Sequence, residues 1–183
     1  MTRLLCILVA FALTSAAAVE AQTVAATTKV IKFSGKQMTG TGHASGSCWT
    51  SSIASPRADA YRCMAGNEIH DPCFEIDSKS VACPVDVFAN TGIVMKLTKP
   101  LPPAASPSPP QAWAMLLQGG AKCNRGTGTI VADFPYYCSG ESSVCQGPDL
   151  SKLAPAYFVK CGKPADAMHV NNVSSTLVKT IYE

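Results

Sequence analysis

Cysteines are the residues of this 183-residue chain whose chemistry is easiest to interpret, and there are nine of them. Cys6 lies in an apolar stretch near the amino terminus, and the other eight follow it. An even set of cysteines in an exported chain predicts a disulfide framework, although the sequence does not choose among the possible pairings. Each bridge contributes about 2–4 kcal/mol, so reduction is expected to unfold the protein. The eight predicted half-cystines are Cys48, Cys63, Cys73, Cys83, Cys123, Cys138, Cys145 and Cys161.

A zinc site is the first alternative use of these cysteines, and their spacing argues against it. Structural zinc sites contain cysteine pairs separated by about two to four residues. The closest pair here, Cys138 and Cys145, has six residues between its members. The histidines His43, His70 and His169 lie in three separate stretches. The sequence therefore predicts no metal and no other cofactor.

A catalytic thiol is the second alternative. The segment Gly46-Ser47-Cys48-Trp49 resembles the sequence around the nucleophile of papain-like cysteine proteases, where a distant histidine activates the cysteine. The resemblance implies catalytic roles for Cys48 and His169. The chain departs from the family pattern at Ser45, where the family has a second cysteine, and at Gly42, where it has a glutamine. A free Cys48 would also leave an odd number of cysteines, so the favoured interpretation is a half-cystine beside a packed tryptophan.

Carboxylates offer the third catalytic arrangement. Glu68, Asp71, Glu75 and Asp77 lie close together in the sequence between two cysteines. A glycosidase needs two carboxyl groups that face each other across a cleft at about 5–10 Å. Acidic residues near turns are usually solvated, and this interpretation is favoured over a catalytic pair.

Residues 1–21 have the three-part pattern of a signal peptide. Arg3 precedes an apolar stretch of about ten residues, and small residues follow as far as Ala21. The apolar stretch is shorter than a membrane-spanning helix requires. We therefore predict cleavage before Gln22, with Ala18 as a second candidate position. The mature chain is expected to be secreted or periplasmic, without a lipid anchor or a membrane span.

A proline-rich segment at residues 100–110 separates the eight cysteines into two groups of four. Proline continues neither a helix nor a central strand and favours extended, exposed backbone. The sequence therefore predicts an N-terminal cysteine-rich lobe at residues 22–99, a linker or surface loop at 100–110, and a C-terminal β-rich lobe at 111–183. Whether the two lobes form one domain is left open.

The remaining pattern predicts a mostly-β, disulfide-stapled fold of short antiparallel strands with one short helix. The helix is expected within residues 55–67, where Ser55 can cap it, Pro56 fits its first turn and Gly66 can end it. Residues 35–46, rich in glycine and threonine, are expected to form a loop. Strands are predicted within residues 30–33, 73–76, 80–83, 92–97, 112–117, 128–131, 136–138, 156–161 and 175–182.

Four blocks of the sequence together resemble a group of uncharacterised bacterial exported cysteine-rich proteins. The blocks are GSCWT at residues 46–50, RADAYRCM at 57–64, HDPCF at 70–74 and LTKPL at 97–101. The resemblance covers about half of the mature chain. It implies a bacterial envelope or extracellular setting, and it carries no activity and no catalytic residue.

The formal net charge of +3 is spread along the chain. A nucleic-acid-binding protein normally shows a concentrated basic stripe with interleaved aromatic residues, so no nucleic-acid partner is predicted. The favoured function is a non-catalytic exported module that binds an envelope or extracellular protein or polymer. Its expected surface is the loop at residues 35–46 together with the proline-rich segment. The alternative is a small secreted hydrolase that uses Cys48 with His169, or the carboxylates.

Overall fold

The computed structural model describes residues 26–140 and 143–183, and these residues form twelve β-strands. The predicted mostly-β fold of short strands is confirmed. The strands are β1 Lys29–Ile31, β2 Gly40–Ser51, β3 Ala60–Ala65, β4 Glu68–Asp77, β5 Ser80–Asp86, β6 Thr91–Leu97, β7 Ala114–Leu117, β8 Lys122–Arg125, β9 Tyr136–Cys138, β10 Val144–Cys145, β11 Tyr157–Pro164 and β12 Val170–Tyr182.

Strands β2 to β6 form a closed barrel. Each strand pairs antiparallel with the next one along the chain. Strand β6 then returns beside β2 in parallel, from Gly40 opposite Thr91 to Gly46 opposite Leu97. This pairing closes the sheet, and closure removes the free strand edges at which other chains could pair.

Strands β7 to β12 form a second barrel-like sheet. The six strands follow one another in antiparallel pairs, and β12 closes the sheet by pairing with β7. The first strand of the chain also belongs here, because β1 lies parallel to the end of β12 with Lys29 opposite Thr180. The described residues therefore begin in the second sheet, form the whole first barrel and then return to the second sheet.

Four disulfides join neighbouring strands, which confirms the predicted disulfide framework. Cys48–Cys63 links β2 to β3, and Cys73–Cys83 links β4 to β5. In the second sheet, Cys123–Cys138 links β8 to β9, and Cys145–Cys161 links β10 to β11. Disulfides of this number persist in oxidising compartments, which indicates an extracellular or periplasmic location.

The predicted helix at residues 55–67 is wrong, because residues 60–65 form strand β3. Gly66, with a φ of 59°, and Asn67 make the two-residue turn between β3 and β4, so the apparent helix stop is a hairpin turn. Tyr61 and Cys63 are buried whereas Met64 is exposed, which is the alternation of a strand. Among the described residues, the helical segment is a single 3₁₀ turn at Gly35–Gln37.

The predicted loop at residues 35–46 is also wrong over most of its length, because β2 begins at Gly40. Gly46 allows close contact between strands: a Cβ atom there would lie 2.1 Å from the Met64 carbonyl oxygen. The strand predicted at residues 128–131 is absent, and Val131 forms an isolated bridge with Phe134. The other predicted strands overlap β1, β4 to β7, β9, β11 and β12.

An aromatic cluster lies between the two sheets. The ring of Phe33 is 4.9 Å from that of Phe74 and 5.5 Å from that of Trp113. Tyr182, at the end of β12, packs beside Trp113 at 6.1 Å. Because residues from both barrels share this core, the two barrels are packed against each other directly.

Arg57 connects the same elements through polar contacts. Its guanidinium donates hydrogen bonds to the carbonyl oxygens of Phe33 and Glu183 at 2.7 and 2.9 Å, and its Nε donates to Asp59 at 2.8 Å. It also lies over the Phe74 ring at 4.8 Å. A planar guanidinium can make all these contacts at once, which a lysine cannot do.

A second polar link between the barrels joins Lys122 in β8 to Asp86 at the end of β5, with 2.9 Å between Nζ and Oδ2. The hydrogen bond from Lys122 lowers the pKa of Asp86, and the backbone N–H groups of Ala89 and Phe88 act in the same direction. Both side chains are partly exposed, so this pair contributes little stability by itself.

The proline-rich residues 100–110 have no regular secondary structure. Ser108 donates a hydrogen bond to the Pro56 carbonyl oxygen at 2.9 Å, and Leu101 packs against the first barrel. The segment therefore follows the protein surface. The domain boundaries at residues 99 and 111 stay a prediction, and the predicted signal peptide at residues 1–21 lies outside the described residues.

Replacing Trp113 with alanine is expected to lower the free energy of unfolding by about 3–5 kcal/mol, because the indole fills the core between the barrels. Chemical denaturation measures the change. Trp49→Ala is the matched control, since the chain has only two tryptophans and Trp49 is 46% exposed whereas Trp113 is 4% exposed. Equal losses in the two variants would contradict this assignment of the core.

Alkaline pH is expected to destabilise the protein through Tyr136. Burial raises the pKa of Tyr136 to about 12, and its hydroxyl donates to the Ala112 carbonyl oxygen at 2.6 Å. The unfolded tyrosine has a pKa of about 10. The folded state therefore keeps its full stability below about pH 10 and loses about 2–3 kcal/mol by pH 12.

Urea unfolding at several pH values measures this loss. Burial also raises the pKa values of Tyr61 and Tyr182, so the slope of wild-type stability against pH contains their contributions. Tyr136→Phe should flatten the slope between pH 10 and 12. An unchanged slope would show that Tyr136 ionises freely in the folded protein.

Candidate binding surface

The two residues of the predicted thiol site occupy different settings. Cys48 is buried in β2, and its sulfur is bonded to Cys63. His169 lies at the turn before β12, where its Nδ1 is 2.8 Å from the Asp166 carboxylate. A sulfur in a disulfide carries no thiolate, and Cys48 lies within a strand rather than at the start of a helix. The structure therefore does not bring these residues together as a nucleophile and base.

The predicted carboxylates all lie on β4, each with a local contact of its own. Glu68 is 3.8 Å from His70. Asp77 accepts a hydrogen bond from the Lys79 backbone N–H, which is the main cause of its lowered pKa. Glu75 hydrogen-bonds the Tyr61 side chain. Asp71 differs from the others because its side chain is only 2% exposed.

The buried Asp71 carboxylate organises the chain after β2. It accepts hydrogen bonds from the Ser52 hydroxyl and from the backbone N–H groups of Ile53 and Ala54, the latter two at 3.1 and 3.4 Å. Arg62 lies 3.8 Å away and supplies the opposite charge. A buried carboxylate requires such partners. Asp71 on β4 thereby fixes the backbone of residues 52–54 beside this strand.

Trp49 is directed outward by an irregularity of β2. The register between β2 and β3 shifts between Cys48 and Thr50, which makes Trp49 the extra residue of a β-bulge. Bulges redirect side chains. The Arg62 guanidinium lies 5.9 Å from the Trp49 ring centroid, within the range of a cation–π contact. The expectation of a packed tryptophan beside Cys48 is therefore wrong, and the packed tryptophan of this protein is Trp113.

Further apolar side chains surround this pair. Met64 on β3 and Ile69 on β4 are directly opposite each other in the sheet, and both are exposed, as is Ile53. We call the five residues Trp49, Ile53, Arg62, Met64 and Ile69 the Trp49 face. A cluster of exposed apolar groups around a fixed charge is typical of an interaction surface.

The second barrel reaches the same region through residues 126–130. Arg62 donates a hydrogen bond to the Thr127 carbonyl oxygen at 3.3 Å. Tyr137, which is exposed on β9, donates to the Thr129 carbonyl oxygen at 2.8 Å. The segment thus touches Arg62 on one barrel and Tyr137 on the other, and it continues the Trp49 face toward a second exposed aromatic ring.

Within the described residues, the two clusters of metal-ligating atom types consist of cysteine sulfurs: Cys63, Cys73 and Cys83 in one, and Cys123, Cys138 and Cys145 in the other. The atoms of each cluster lie within 4.8 Å of one another because two disulfides meet in each barrel. Disulfide sulfurs do not provide the thiolates that zinc requires.

A cleft of about 420 Å³ lies between residues 56–59 and the proline-rich segment. Its polar lining includes Lys32 and Arg57. The donors of Arg57 are largely occupied by Asp59 and by the two carbonyl oxygens described above, so the guanidinium holds the barrels together and has little capacity left for a ligand.

Comparison with protein-family models, curated proteins and solved structures gave no match to this chain. Within the described residues, no helix is both long and apolar enough to cross a membrane.

Sequence reasoning missed the Trp49 face because it assigned β3 to a helix. Once residues 60–65 are read as a strand, Arg62 and Met64 fall on the side opposite Tyr61 and Cys63. The dipeptide Gly66-Asn67 between two alternating stretches is the signal that could have identified the hairpin.

Replacing Asp71 with asparagine is expected to lower the free energy of unfolding by about 2–3 kcal/mol, because a buried charged acceptor and its ion pair with Arg62 are lost. Urea denaturation measures this change. Glu68→Gln on the same strand is the control and should change stability by less than about 0.5 kcal/mol. Equal effects of the two substitutions would mean that Asp71 does not organise this surface.

Proposed function

We propose that this protein is an exported, non-catalytic binding module that binds a protein partner in the envelope or extracellular space through the Trp49 face. The observation that carries the proposal is the exposed Trp49 ring beside Arg62, whose guanidinium faces the buried Asp71. Proteins seldom expose a group of large apolar side chains together except where another molecule binds.

The residue types of the Trp49 face support a protein partner. Tryptophan, tyrosine, methionine and arginine are enriched in protein–protein interfaces relative to the rest of the surface. Tryptophan, tyrosine and arginine also dominate the residues whose truncation costs most binding energy. Trp49, Arg62, Met64 and the neighbouring Tyr137 belong to this set, and Ile53 and Ile69 add apolar area.

The disulfides support the same proposal through rigidity. The bridge from Cys48 to Cys63 joins the two strands that carry Trp49 and Arg62. A surface that is ordered before binding loses little conformational entropy when the partner docks. This proposal replaces the surface expected from the sequence, since residues 40–46 belong to β2.

Site-specific photocrosslinking tests the proposal. A photoreactive phenylalanine analogue at position 64 or 69 of the exported protein should give one discrete heterologous adduct. Excess unlabelled wild-type protein should abolish the adduct, whereas excess Trp49→Ala protein should not. With the identified partner purified, Trp49→Ala should weaken binding at least about tenfold.

Val85 provides the matched control, because it is an exposed apolar residue on the same barrel. The analogue at position 85 should give no adduct that excess unlabelled wild-type protein abolishes. The Val85→Ala variant should bind the partner like the wild type. Equal competition by wild-type and Trp49→Ala protein would overturn the proposal. An adduct with the mass of two copies of this chain would also overturn it, because the face would then be a self-interface.

A further inference from the structure

A second surface, on the other barrel, is rich in lysine. Strands β1, β11 and β12 contain four lysines and no aspartate or glutamate: Lys29, Lys160, Lys163 and Lys179. Three acidic residues elsewhere in the protein form ion pairs with their own basic partners: Asp59 with Arg57, Asp86 with Lys122 and Asp149 with Lys152.

The sheet register places three of these lysines around an aromatic residue. Phe158 on β11 is directly opposite Leu177 on β12, and Lys160 is opposite Ser175. Strand β1 pairs with the same edge of β12 as β11 does. It lies just beyond the first residue of β11, with Lys29 opposite Thr180. Lys179 lies on β12 itself. Phe158 therefore lies between Lys160 on one side and Lys29 with Lys179 on the other.

These side chains point away from the barrel interior. Val159 and Cys161 are buried, whereas Phe158, between Tyr157 and Val159, is 59% exposed. Lys29, Lys160 and Lys179 are exposed, and among the described residues none of the three has an ion-pair partner. We call Lys29, Phe158, Lys160, Leu177 and Lys179 the lysine face.

We infer that the lysine face binds an anionic polysaccharide. Three unpaired ammonium groups supply the charge complementarity for carboxylate or other acidic substituents. Phe158, centred among them, offers an apolar ring against which the C–H face of a sugar can pack. The groups follow the strand direction, as a chain-like ligand requires.

A lipid surface fits this arrangement less well. Proteins that lie on a bilayer bury an apolar face several ångströms deep in the headgroup region. Phe158 and Leu177 instead lie within the outer face of a sheet, with lysines at both ends. The lysine face is also separate from the Trp49 face, so the inference does not depend on the proposed function.

Binding to size-fractionated polygalacturonate, measured by isothermal titration calorimetry on the mature disulfide-bonded protein, tests the inference. Each lysine at an anionic surface is worth roughly a fivefold change in affinity. The triple variant Lys29→Ala, Lys160→Ala and Lys179→Ala should therefore bind about 100-fold more weakly. The affinity of this variant should also fall less steeply as the salt concentration rises, because fewer counterions are released on binding.

Three lysines on the first barrel provide a control variant that removes the same number of positive charges. Lys36, Lys96 and Lys99 are exposed and also lack ion-pair partners among the described residues. The triple alanine variant at these positions should keep most of the wild-type affinity. Phe158→Ala should weaken binding about fivefold and leave the salt dependence unchanged.

Several outcomes would overturn the inference. Equal weakening by the two triple variants would show that only net charge matters. Equal binding to neutral dextran would exclude recognition of the acidic groups. Failure to bind polygalacturonate, together with binding to phosphatidylglycerol vesicles, would identify a lipid surface instead. Trp49→Ala should bind polygalacturonate like the wild type, so this experiment can fail or succeed independently of the proposed function.

Discussion

Covalent links between neighbouring strands are the constraint on which this structure depends. The disulfides close loops of 10 to 16 residues, and loops of this length correspond to about 3 kcal/mol per bridge in the chain-entropy description. The bridges join strands that already pair, so they fix sheet register as well as topology. The short strands β9 and β10, of three and two residues, would pair weakly without such links.

The two barrels use this device in the same way. In the strands β2 to β6, disulfides join the first strand to the second and the third to the fourth. The same pattern of disulfides recurs in the strands β8 to β12. A buried tyrosine precedes the second cysteine by two residues in both cases, as Tyr61 and Tyr136. The two halves therefore share this pattern of disulfide bridging, although the first barrel closes through a parallel pair of strands and the second through an antiparallel pair. Their outer surfaces differ, since the first carries the Trp49 face and the second the lysine face.

The packing between the barrels gives these surfaces a fixed relation. Phe33 and Trp113 interlock with Phe74, and Arg57 binds carbonyl oxygens from the first and last parts of the described chain. Residues 126–130 also bridge Arg62 and Tyr137. These contacts set the position of the Trp49 face relative to the lysine face.

The sequence alone determined the disulfide framework and the mostly-β class, because an even cysteine set and alternating short stretches are local signals. Only the tertiary structure decided the pairing of the cysteines, since each bond requires two distant strands to become neighbours. It also decided that residues 60–65 form a strand, because their pairing with β2 and β4 outweighs the helix-start and helix-end signals around them. The two faces were invisible in the sequence because Trp49, Arg62 and Asp71 lie on three different strands, and the lysines of the lysine face come from β1, β11 and β12.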